Sequence, residues 1–186
     1  MPIPPELEEL LAAIDANTRD AHALVDGLDE ARGAWRPAPG AWSIAECLDH
    51  LAVSNRVYLP PMIEAANRAR AEGRIRRGPA KPGLLGGWFV RSLEPPVKFK
   101  QRNPKLSTPR ASPPLADTFK AFLASQDDVR AFIRRSADLD LNSVRFRNPF
   151  TRLVRWSLAT GIHVLPAHER RHLWQAWSVR KAQAGG

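Results

Sequence analysis

The residues best equipped for chemistry stand near the C-terminus, in the run His168-Glu169-Arg170-Arg171-His172. Histidines four residues apart lie on one face of a helix, one turn above the other. That spacing suits a divalent metal, which asks neutral imidazoles to bring ring nitrogens to about 2.0–2.1 Å of the ion. A third candidate ligand, His50, lies far upstream. Three protein ligands leave one coordination position open, as a reactive metal needs and a structural one does not. The alternative for the pair is two hydrogen-bonded core histidines, because neutral rings in an apolar interior need partners either way. His163 projects to a different side of the last helix and His22 lies near the margin of the first helix's apolar face, and both are left out of the expected site.

The same run reads as His-Glu-x-x-His, the zincin signature, in which the glutamate is a general base. That chemistry needs a further ligand downstream, and the chain after His172 contains no histidine, aspartate or glutamate. A metalloprotease is therefore set aside. Glu169 stays as a candidate catalytic residue, acting as a base or as an acceptor that orients a ligand imidazole. The plainer alternative is a surface carboxylate paired with a nearby arginine. Cys47 lies one turn from His50 but reads as a small buried hydrophobe, since no basic group is placed to activate it.

Four long helices are expected to position these residues, with no convincing strands. The first runs from about Pro5 to Leu28 on the helical period of Leu7, Leu10, Leu11, Ile14, Ala21 and Val25. The second opens at Ser43-Ile44-Ala45-Glu46, a capping box, with Trp42 set to staple onto Cys47. It fades near Glu72, and Pro60-Pro61 should kink or interrupt it. The third starts at about Pro114 and carries Leu115, Phe119, Phe122, Gln126, Val129 and Ile133 on one stripe. The last spans about Ser157 to Arg180, with Leu158, Ile162, Leu165, His168, His172, Ala176 and Val179 facing inward and Pro166 bending it beside the proposed site. This is the pattern of an all-α antiparallel four-helix bundle, expected to form one domain over residues 1–186.

A chain of 186 residues with net charge +9 and a single cysteine can bury a core without disulfides, and its cysteine usage suggests a cytoplasmic home. No signal peptide and no apolar run of about 20 residues is visible, so a soluble protein is expected. The charge is local. Residues 73–112, the link between the second and third helices, hold ten Lys/Arg against one acidic residue, Glu94. This Pro-rich crossover also contains Leu84, Leu85, Trp88, Phe89, Val90 and Leu93, which suggests a short helix docked on something, a lid or a binding element.

Two segments resemble the DinB-like, or YfiT-like, superfamily of small bacterial four-helix proteins. Pro39-Gly40-Ala41-Trp42-Ser43-Ile44-Ala45-Glu46-Cys47-Leu48-Asp49-His50-Leu51 looks like its entry to helix two. Pro166-Ala167-His168-Glu169-Arg170-Arg171-His172-Leu173-Trp174-Gln175 looks like its last-helix His-x-x-x-His element. The basic crossover ending in Lys105-Leu106-Ser107-Thr108-Pro109 is also similar to that of some members. The resemblance implies His50, His168 and His172 as metal ligands, with zinc, nickel, iron or copper all compatible with three imidazoles. It also implies a divalent-metal-dependent enzyme, either a thiol S-transferase or a hydrolase, and a homodimer. In the transferase version a low-molecular-weight thiol would be held through its carboxylates by Arg145 and Arg147 or by crossover arginines. The alternative function is a non-catalytic interaction module in which residues 73–112 meet an acidic partner or a membrane surface. No nucleic-acid-binding signature appears, and a small-molecule substrate is the expected partner.

Overall fold

In a computed structural model, residues 2–97, 104–151 and 153–184 are described. Four long helices carry the fold: α1 (Pro5–Val25), α3 (Ile44–Ala71), α5 (Leu115–Arg135) and α6 (Leu158–Ala184). Shorter pieces join them: α2 (Glu30–Ala34), α4 (Leu84–Leu93), and a 3-10 turn at Lys105–Ser107. Each of α3 and α1 packs against both α5 and α6, so α1 and α3, although consecutive, face each other across the bundle. The intervening α2 lies against α3 and α5.

Local chemistry accounts for most boundaries. Ser43 and Glu46 form both halves of the expected capping box at the start of α3. Ser157 accepts from the Thr160 backbone N–H at the start of α6. The N-terminus of α5 follows Pro114, which offers no side-chain cap. Glu30 of α2 supplies one from outside, its carboxylate accepting the N–H groups of Leu115 and Ala116.

Three expectations need correction. The Pro60-Pro61 pair does not interrupt α3, which remains helical through both residues. Two backbone donors are lost there, but Tyr58, Leu59 and Met62 beside them are buried in the core, and that packing holds the segment in the helix. The first helix stops at Val25, ahead of a left-handed Gly27. Strands also exist: Arg145–Arg147 (β1) and Arg155–Ser157 (β2) pair antiparallel, with Phe146 opposite Trp156. Three residues each are too few for a period of two to stand out in a sequence.

The long crossover is strapped to the bundle at several points. Arg76 pairs with Glu6 of α1, whose carboxylate also accepts the Ala80 N–H. Farther along, α4 lies on α6, and Gly86 makes that contact close. A Cβ there would stand 2.4 Å from Thr160 Oγ1. Residues 98–103 of the crossover lie outside the described residues. Beyond them, Arg110 binds the fully buried Asp49 through its backbone N–H and its guanidinium.

Candidate metal centre

His50 projects from the second turn of α3, while His168 and His172 project from successive turns of α6. The two helices pack together, and the three rings converge. Their centroids are 4.3 Å (His50 to His172), 4.7 Å (His168 to His172) and 5.0 Å (His50 to His168) apart. One nitrogen from each ring lies within 4.8 Å of the other two, an arrangement able to hold a metal ion. His50 Nε2 and His168 Nε2 are 3.2 Å apart. Tetrahedral ligands at about 2.0–2.1 Å from one ion would sit about 3.3 Å from each other, so this pair is already at ligand spacing.

Hydrogen bonds on the far side of two rings decide which nitrogen is offered. His50 Nδ1 lies 2.6 Å from the Ser107 carbonyl oxygen. A carbonyl only accepts, so Nδ1 carries the proton and Nε2 presents a lone pair to the cluster. His172 Nδ1 is 3.0 Å from Gln175 Oε1, which sets the same tautomer. The Ser107 carbonyl comes from the crossover, anchored three residues later by the Arg110–Asp49 contacts. Asp49 neighbours His50 in the chain, so one turn of α3 holds both a ligand candidate and the anchor of the loop that orients it.

The surroundings favour the neutral, metal-binding form. Burial pushes His50 down to about 4, although the Ser107 bond and nearby Asp49 act the other way. His168 falls well below the ordinary histidine range through burial and the proximity of His50 and Arg171. His172 does so through burial and the charges of His168 and His50. Uncharged imidazoles are the form that coordinates.

The cluster opens into a cavity of about 870 Å³. Its walls include Trp42, Tyr58, Phe89, Leu93, Phe150 and Leu165, with Arg171 the one cationic side chain on the lining among the described residues. His50, Ser54 and Tyr58 recur every four residues along α3 and line one side, reaching about 12 Å from the histidines at 1.5 Å per residue. The Tyr58 hydroxyl is buried without a hydrogen-bond partner among the described residues. Burial also pushes its pKa up, so it stays a donor.

Three sequence candidates lie elsewhere. Glu169 is fully buried yet is not part of the cavity lining. Successive helical residues point about 100° apart, so the neighbour of His168 faces the centre of the bundle. There its carboxylate accepts from the side-chain amides of Asn17 on α1 (2.9 Å), Asn55 on α3 (3.1 Å) and Gln126 on α5 (2.9 Å). Neither a surface arginine pair nor a base beside the imidazoles describes it. Arg145 and Arg147 are exposed on β1, and neither lines the histidine cavity. Arg145 borders a separate opening of about 220 Å³ with Arg68, Arg74 and Arg155. Alternation in the ribbon turns Phe146 inward and both arginines outward. Arg171, Ser107 and Tyr58 were not anticipated. Arg171 had a signal, because position 171 is one turn from His168 on the side of α6 that faces the cavity.

Known proteins share the fold that carries this site. A model of the DinB superfamily matches residues 13–176. Among solved structures, YfiT from Bacillus subtilis, described as "a probable metal-dependent hydrolase with an unusual four-helix bundle topology", superposes with a TM-score of 0.58. Its identity is 13%, covering 98% of this chain and 91% of that one. No curated protein sequence matches.

Proposed function

The chain belongs to the DinB superfamily, and from that membership and the geometry of the three imidazoles we propose a divalent-metal-dependent enzyme of the hydrolase type. His50, His168 and His172 are the ligands, each through Nε2. The observation that carries this reading is the pair of outward-facing Nδ1 hydrogen bonds, to Ser107 and Gln175, which leave His50 and His172 with lone pairs directed at a common point. Core histidines that merely satisfied each other would have no need of that arrangement. A bound ion supplies a Lewis acid there and eases loss of a proton from a water or thiol nucleophile.

The chain's own residues do the rest. Trp42, at 4.9 Å from His50 and 5.7 Å from His172, shields the imidazoles from water and holds them apart from solvent. Arg171 attracts an anionic or strongly polarised substrate group towards the histidine end of the cavity. Tyr58 offers a hydrogen bond about two helical turns away, and the aromatic walls between take an apolar body. The substrate is thus a small molecule with one anionic or polar end and an apolar remainder.

A thiol S-transferase is the second reading. It is favoured by a cavity volume at the upper end of the range for a single small ligand, which leaves room for a thiol beside its electrophile. In that version Arg171 takes the carboxylate-gripping role assigned earlier to Arg145 and Arg147.

Elemental analysis of protein purified without a histidine tag tests the shared premise. His168→Ala and His172→Ala are expected to lose the bound metal, and full occupancy in both variants would overturn the assignment. Calorimetric titration of the metal-loaded protein with a low-molecular-weight thiol then separates the readings. Binding that disappears in Arg171→Gln supports transfer, and no binding leaves hydrolysis.

A further inference from the structure

We propose that α4 docks this protein on an anionic phospholipid surface. The helix has two apolar faces with different fates. One is covered: Gly86 abuts Thr160, Phe89 stacks on Trp156 at 5.5 Å, and Leu93 is buried. The other is open, with Leu84 96% exposed, Leu85 77% and Trp88 65%. Residues 84, 85 and 88 share one side of a helix, so these three side chains form a continuous stripe. The inner contacts fix the helix in place, so that the stripe is a held feature of the folded surface. A small exposed cluster of this kind marks an interaction site more often than a lone exposed leucine does.

The charge around the stripe selects the occupant. Arg91 follows Trp88 by three residues on the same side of α4, and Lys81 and Arg77 lie upstream in the chain, three and seven residues before Leu84. All three are exposed, and none has an ion-pair partner among the described residues. They belong to the segment with ten basic residues against one acid. A second copy of the chain would bring the same positive field against itself, which opposes a dimer through this face. A nucleic acid would meet the charge but gain nothing from two exposed leucines, which cannot stack on bases. An anionic bilayer answers both features: phosphate headgroups meet Lys81, Arg77 and Arg91, while Leu84, Leu85 and Trp88 enter the acyl boundary. No helix of the described residues is long and apolar enough to cross a membrane, and the mode proposed is peripheral. With one short helix as anchor, binding is reversible and salt-sensitive.

The other side of α4 lines the histidine cavity through Phe89 and Leu93. Docking would therefore set the cavity wall at the lipid boundary, although the proposal does not depend on the metal assignment.

Sedimentation of the full chain with vesicles tests it, comparing phosphatidylcholine alone with phosphatidylcholine–phosphatidylglycerol mixtures. Two variants accompany it: Leu84→Ser with Leu85→Ser, and Arg77→Ser with Lys81→Ser and Arg91→Ser. All substituted side chains are exposed, and circular dichroism checks the fold. The wild-type protein is expected to partition into the anionic vesicles only, with Trp88 quenched by brominated acyl chains. Each variant is expected to lose about tenfold in partitioning. Three results would overturn the proposal: equal binding to neutral vesicles or none to either; retention of full binding by the leucine variant, which indicates adsorption to any polyanion, nucleic acid included; or a dimer in light scattering that the leucine variant dissolves without lipid.

Discussion

His168 and Glu169 are adjacent in the chain, both on α6, and their environments are opposite. On one side, three imidazoles from two helices crowd together, one nitrogen of each within 4.8 Å of the other two, and line a cavity. On the other, a carboxylate is enclosed by three amide donors, one from each of the other long helices. The first cluster brings ring nitrogens together beside a cavity, with His50 and His172 each spending Nδ1 on a hydrogen bond away from it. The second is saturated by the protein itself. The contrast separates polar groups set aside for a ligand from polar groups that fix the bundle. Burial alone does not distinguish them, since His50, His172 and Glu169 are all buried.

The largest test of this contrast is metal loss. Replacing His168 or His172 by Ala should abolish metal retention through exhaustive dialysis, while urea unfolding of the metal-free protein shifts by no more than about 1 kcal/mol. A large fall in metal-free stability would make the imidazoles structural and break the distinction. The converse holds for Glu169. Removing it in Glu169→Ala strands three buried donors and should cost about 3–5 kcal/mol in the same unfolding measurement. Glu169→Gln should cost clearly less, because a new amide N–H can reach the Asn55 and Gln126 side-chain oxygens, which lack partners. Metal content should be largely kept in the Gln variant, and its loss would tie Glu169 to the centre after all.

Acidity should separate the two clusters by sign. The imidazoles are held below their unfolded values, His50 at about 4, so between pH 6.5 and that level the unfolded chain binds more protons. Their contribution is present above pH 6.5 and is lost as pH falls, by up to about 1.4 kcal/mol per pH unit for each group. Burial raises Glu169 above its usual range despite the three amides. The folded state therefore binds the extra proton there, and a falling pH relieves rather than adds a penalty. Metal-free His50→Asn should show a shallower acid loss of stability than the wild type, and Glu169→Gln a steeper one. Parallel curves would refute the assignment of sign.

The smallest effect concerns the loop that orients His50. Arg110→Gln removes the guanidinium bonds to Asp49 and leaves only the backbone N–H contact, and should weaken metal binding about tenfold, the lower end for loss of a group that holds a ligand's partner. Unchanged affinity would mean that Ser107 keeps its place without the anchor.

Much of the bundle was readable from periodicity. The stripes of α1, α5 and α6 named the buried residues well, because a helix packed on one side must repeat its apolar positions every three to four residues. The spacing of His168 and His172 on such a stripe carried the C-terminal half of the site, and His50, a candidate by residue type alone, gained its place from the resemblance. The parts that stayed hidden are those joined by tertiary contact alone. Ser107 lies 57 residues from His50 and Arg110 lies 61 from Asp49, and neither distance leaves a local pattern. The enclosure of Glu169 left one clue, Gln126 standing in an otherwise apolar row of α5. A buried amide in such a row needs a partner, and that partner is the carboxylate of Glu169. Arg145 and Arg147 were misplaced for a related reason: cation type pointed to anion binding, while only the pairing of β1 with β2 shows that they turn outward.

The side-by-side placement of residues 168 and 169 has a consequence for how α6 is seated. Turning that helix by one position would drive an imidazole into a nest of amide donors and swing a bare carboxylate toward two ring lone pairs. Neither neighbour tolerates the other's seat. The rod is thereby keyed at a single angle, and the direction in which its histidines aim is enforced by a residue that stands outside their cluster.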